Sequence, residues 1–258
     1  MLLKLLKYDF RAMWKQFSLI WGAALALALV NRFTLDGQNS TSMVGEQTSG
    51  LMIFAFTAVM TAMFVIAILF VVQRFSKGLL GDEGYLMHTL PVRPWQLVTS
   101  KLICGTVTWV VCSAVSFLSA LVMLPLDLSD LLQFPFWSDI LRGIMKHPGV
   151  VALIVEFLLM ALAAMIQFTA AIYLAIAIGH LFSRHRRLIS IASFIGLYVL
   201  VGNVYDQVFS YRIVRALTNA ASVNAYGSML VAIAIMLIPA IVFLAVTCWI
   251  LEHKLNLE

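Results

Sequence analysis

Six long apolar runs decide what this chain can fold into: Phe17–Asn31, Gly50–Val72, Leu102–Leu126, Gly149–Phe182, Leu188–Tyr205 and Ser228–Leu251. Five carry no Asp, Glu, Lys or Arg, and the fourth carries one, Glu156. Crossing the hydrocarbon core of a bilayer takes about 20 mostly apolar residues. Lipid offers no partner to backbone N–H and C=O groups, so runs of this kind must close their own hydrogen bonds as helices. The expected fold is an all-α integral membrane protein with six transmembrane helices. The first run is short, since Lys15 and Arg32 bound it, and Lys15 is expected to snorkel.

Composition agrees. The 258 residues are 62% hydrophobic and 11% charged, against about 45–50% and about 25% in soluble domains. Cys104, Cys112 and Cys248 all fall inside apolar runs and read as small buried hydrophobes, with no disulfide framework or zinc spacing. The start, "MLLKLLKYDFRAMWKQFSLIWG", lacks a small-residue cleavage site and is expected to remain on the mature protein.

Six crossings put both termini on one side. That side carries Lys4, Lys7, Arg11, Lys15, Arg74, Lys77, Arg93, Lys101, Arg184, Arg186, Arg187 and Lys254; the other carries Arg32, Arg142, Lys146, Arg212 and Arg215. Basic residues concentrate in cytoplasmic loops, so both termini are expected in the cytoplasm of a multi-pass protein of the cell membrane. The net charge of +5 needs no nucleic-acid partner, because the anionic inner leaflet suffices. Lys4, Lys7, Arg11 and Lys15 recur every three or four residues, with Leu2, Leu3, Leu5, Leu6, Phe10, Met13, Trp14 and Phe17 filling much of the rest. Residues 1–16 therefore read as an amphipathic helix lying in the interface. It is either a plain anchor or a prop for a cytoplasmic partner.

Several chemistries lack their residues. There is no GxxxxGK[ST] phosphate loop, no HExxH and no GxSxG. His88, His147, His180, His185 and His253 are scattered, and no carboxylate pair sits within a span. An intramembrane enzyme or a metal site is therefore disfavoured. Glu156 is the one acid inside a span; a pathway or gating role and a structural role near the headgroups stand as equal readings. Gln167, about three turns on, is the second candidate for the path, and hydrogen bonding to a neighbouring helix is the simpler reading.

The connection Gln73–Lys101 is long for a turn between antiparallel helices. Within it, "DEGYLMHTL" can form a short helix with Asp82 and Glu83 in its first turn, where the helix dipole favours acids. Leu86, Met87 and Leu90 would give apolar contacts, and Pro91 ends it. "RPWQLVTSKL" then starts a helix that runs into the third span.

These residues carry a family resemblance. "GDEGYLMHTLPVRPWQLVTSKL" resembles the loop between spans two and three in membrane-spanning permease subunits of ABC-2 type ABC transporters. There an acid is followed by a "LPV" step and a Ser-Lys opening span three. The start "LLKYDFRAMWK" and the ending "ILEHKLNLE" are similar to small permeases of Gram-positive bacteria. The resemblance implies a single ABC-2 transmembrane domain over 1–258: amphipathic helix 1–16, six spans over 17–251, and a cytoplasmic tail 252–258. It also implies two partners, an ATPase subunit that binds the ATP and a second permease subunit, identical or homologous. Asp82, Glu83, Tyr85, Leu86, Met87 and Leu90 would form the coupling helix that docks in the ATPase. The segment 207–227 would dip into the outer leaflet or form a helical surface loop, while 127–148 has no assigned role. The implied function is ATP-driven export of an amphipathic peptide or lipid-like cargo, with no cofactor on this chain. The alternative is a scaffold or sensor that docks a cytoplasmic partner and moves nothing.

Overall fold

The structure is a computed structural model that describes residues 2–36, 43–80, 94–123, 138, 142–143, 145–146, 148–182, 185–210 and 225–253. No strand occurs among the described residues. Among the described residues six long helices follow in order: α1 Leu2–Asp36, α2 Met43–Phe75, α3 Pro94–Met123, α4 Pro148–His180, α5 Arg186–Ser210 and α6 Ala225–His253. Each contains a window long and apolar enough to cross a membrane, with mean hydropathy from 1.4 to 2.7. Leu19, Phe54 and Tyr198 are about 70% exposed or more. Large apolar side chains in this position fit a multi-pass membrane protein whose outside is solvated by lipid. Several helix hydroxyls bond to carbonyls three or four residues back, as Thr106 does to Leu102 (2.6 Å), Thr169 to Met165 (2.8 Å) and Thr247 to Phe243 (2.7 Å). That satisfies them without a partner helix.

The N-terminal region differs from the sequence expectation in one respect. The charged start from Leu2 on and the first span form one unbroken helix, Leu2–Asp36, rather than two elements. Nothing between Leu2 and Trp21 breaks a helix, and a single buried stripe runs through both parts: Asp9, Met13, Phe17, Trp21, Ala24, Ala28 and Asn31. The four- and three-residue steps keep these on one face. Lys7, Arg11 and Lys15 are exposed.

The chain divides into two compact units. One comprises Leu3–Phe70 and Val107–Lys146. In it, Phe17 of α1 meets Phe70 of α2 edge-on at 5.3 Å, and Phe64 of α2 stacks on Trp109 of α3 at 6.2 Å. Thr108 donates to the Met13 sulfur at 3.0 Å. Arg32 is only 4% exposed, and its Nη1 donates to the Val122 carbonyl at 3.4 Å. That carbonyl belongs to the last turn of α3, where C=O groups lack intrahelical donors and a cation offsets the helix dipole.

The other unit comprises Met1–Leu2, Val71–Thr106 and His147–Glu258. Here α4 packs along α5 and α6. Ala170, Leu174 and Ala177 of α4 form a core with Val201 of α5 and with Ala240, Phe243 and Ile250 of α6. The end of α4 lies close against the start of α5. A Cβ on Gly179 would lie 2.8 Å from the Arg186 carbonyl and 2.9 Å from Ser190 Cβ. His185 takes φ 64° just before α5 begins. Cys104 and Cys112 are buried and Cys248 half-buried, and none of the three forms a disulfide.

Candidate functional site

The proposed docking stretch, with Asp82, Glu83, Tyr85, Leu86, Met87 and Leu90, lies outside the described residues. Its two flanks do not. On the entry side, α2 ends in a π-helical turn, Ser76–Leu80. On the exit side, α3 starts at Pro94, as the "RPWQL" reading expects; a proline is well suited to the first helical position, where the N–H it lacks would have had no intrahelical partner.

Both flanks are anchored on α4. Phe75, at the end of α2, is fully buried and stacks on Tyr173 with centroids 4.2 Å apart and planes 12° apart. Gly105 of α3 is close enough that an added Cβ would sit 3.1 Å from Thr169 Cγ2, 3.3 Å from the Tyr173 hydroxyl oxygen and 3.5 Å from Val71 Cγ2. The absence of a side chain at 105 is therefore what lets α2, α3 and α4 meet there. The flanks also touch each other, because Gly78 lies where a Cβ would be 3.5 Å from Lys101 Cε. Lys101 is 4% exposed, with its Cε and Nζ end beside Gly78 of the π turn.

Glu156 and Gln167 share the packed stripe of α4, but they are not brought together. Eleven residues separate them, about 16 Å along the axis at 1.5 Å per residue. Gln167 is paired: the Tyr205 hydroxyl of α5 donates to its Oε1 at 2.6 Å, which is the interhelical bond the sequence suggested. Glu156 is 7% exposed while its neighbours Val155 and Phe157 are 48% and 62% exposed. Its Oε2 is buried and has no hydrogen-bond partner among the described residues.

Three buried charged residues were not singled out by the sequence: Asp9, Arg32 and Lys101. Asp9 sits in a charged segment and Arg32 and Lys101 at span ends, where solvation is the ordinary expectation. The signal available for Asp9 was its place in the four-residue apolar series Asp9, Met13, Phe17, Trp21. Among the described residues no group of three or more His, Cys, Asp or Glu could hold a metal ion.

No family model, curated protein or solved structure matches this chain.

Proposed function

We propose that this chain is the membrane-spanning permease subunit of an ATP-driven ABC-2 type exporter, powered by a separate ATPase chain and paired with a second permease subunit. One structural observation supports the reading best. The segments on either side of residues 81–93 belong to the same compact unit as α4, α5 and α6, and they meet α4 through Phe75–Tyr173 and Gly105–Thr169. A force applied to a helix at 81–93 would enter a packed body and move it as a whole, because close-packed interiors transmit strain. A passive connector needs no such seating. The motif "GDEGYLMHTLPV" supports the family reading, the lack of a phosphate loop fits ATP hydrolysis on a partner chain, and the basic asymmetry favours a cytoplasmic side for 81–93 and both termini. The cargo of this reading is amphipathic, in keeping with spans that hold one acid and no deep charge cluster.

The test is copurification and reconstitution. Solubilised native chain should bring down an ATP-binding cassette ATPase, and vesicles holding both should move an amphipathic cargo only with hydrolysable ATP. Copurification without ATP-dependent movement would favour the scaffold or sensor. No ATPase partner at all would reject the family reading.

A further inference from the structure

We propose that α6 hinges at Pro239, its N-terminal half moving against α4 while its C-terminal half stays fixed. Pro239 lies inside the helix. Proline has no N–H to give the carbonyl four residues back, here Ile235, and its ring crowds that carbonyl, so the helix loses stiffness at one point. Packing changes at the same point. On the C-terminal side Ala240, Phe243, Thr247, Ile250 and Leu251 are buried. On the N-terminal side none of the described side chains, 233–238, is buried, and Ile238 is 59% exposed.

The facing helix is graded in the same direction. In α4, Ile172–Ala177 are all buried, whereas from Val150 to Leu162 only Glu156 is. One end of the α4–α6 pair is thus a packed core of Ala170, Leu174, Ala177, Ala240, Phe243 and Ile250. Among the described side chains the other end holds few that are buried, and a buried carboxylate oxygen has no partner there. Few buried contacts on one side of a weakened helix make that side the one that opens first. Swinging the N-terminal half of α6 would change the exposure of the α4 stripe at Glu156. The inference stands on packing alone and does not depend on the transport reading.

Spin-label distances in lipid vesicles test it, with Cys104, Cys112 and Cys248 changed to alanine and labelled chain diluted in unlabelled chain. One pair, Leu159→Cys with Ala234→Cys, spans the two helices on the N-terminal side of the proline. A second, Leu181→Cys with Val246→Cys, spans the packed side. The expected result is a distinctly broader or two-component distribution for the first pair, collapsing to the width of the second in Pro239→Ala. A first pair as narrow as the second in the native background overturns the hinge. So does breadth that persists in Pro239→Ala while the second pair is unchanged. If Pro239→Ala shifts the second pair as well, the comparison of the two pairs in the native background decides alone.

Discussion

Tyr205 donates its phenolic hydrogen to Gln167 Oε1 across 2.6 Å, tying α5 to α4. Interhelical hydrogen bonds of this kind in membranes average about 0.6 kcal/mol and reach about 1.7. Tyr205→Phe should therefore lower unfolding stability in detergent by about 1 kcal/mol, leaving Gln167 short of a donor. Gln167→Leu in the Tyr205→Phe background should add little further loss, since both polar groups are then gone. A second loss as large as the first would show that the two side chains act independently.

The glycines make a contrast of sign. A Cβ at Gly202 or Gly196 meets nothing within 4 Å, so alanine there should stabilise its helix by about 0.5–1 kcal/mol. At Gly105 an added Cβ would press on the Thr169 methyl at 3.1 Å and the Tyr173 hydroxyl at 3.3 Å, both on fully buried side chains with little room to give, and alanine should cost about 1 kcal/mol. At Gly179 the obstacle includes the Arg186 carbonyl at 2.8 Å. Backbone cannot step aside cheaply, and Gly179→Ala should cost about 1–3 kcal/mol. Ser190→Gly should rescue it only in part, because that carbonyl remains. Thermal unfolding in detergent ranks the variants.

The contrast among these sites shows what a sequence of this type reveals. The six helices were readable because uncharged runs leave lipid-exposed backbone only one solution. The start of α3 at Pro94 was readable because proline marks helix beginnings locally. The Gln167 pairing was readable as a type of contact, but its partner Tyr205 was not. What escaped depends on contacts far apart in the chain. Arg32 reads as a solvated flank until Val122, ninety residues away, presents its carbonyl. Lys101 reads as a loop cation until the π turn at Gly78 lies beside its Cε and Nζ end. The unbroken α1 was missed because a change from charged to apolar composition resembles a boundary, whereas its buried stripe continues through it.

Glu156 separates a path from a packing role. Under the transport reading, Glu156→Gln keeps shape and removes the charge, and it should reduce ATP-dependent cargo movement while membrane abundance and subunit assembly stay normal. Full transport in that variant would leave the carboxylate a structural role only. Loss of the protein from the membrane would point to packing as well.

Orientation has its own measurement. If both termini are cytoplasmic, as proposed, Ser42→Cys and Ser76→Cys fall on opposite sides, and an impermeant thiol reagent on intact cells should label the first and spare the second. The basis is the basic asymmetry, twelve residues against five. The reverse pattern would invert the topology and remove residues 81–93 from any cytoplasmic ATPase.

The docking stretch gives the sharpest test of the proposed function. A docked helix is held mainly by a few buried apolar anchors, while rim charges tune pairing and on-rate. Leu86 is an anchor in this reading and Asp82 a rim acid. Leu86→Asp would bury an unpaired carboxylate in the partner's cleft, at a cost of several kcal/mol, roughly, whereas an exposed ion pair contributes about 0–1 kcal/mol. Copurification of the ATPase should therefore fall steeply with Leu86→Asp and little with Asp82→Asn, and transport-stimulated ATP hydrolysis should follow the same order. The seating of the flanks makes the comparison clean: Phe75, Tyr173 and Gly105 lie outside 81–93 and are unaltered in both variants. Full copurification and full stimulation with Leu86→Asp would make the stretch a connector and leave the packed base beneath it without a load to carry.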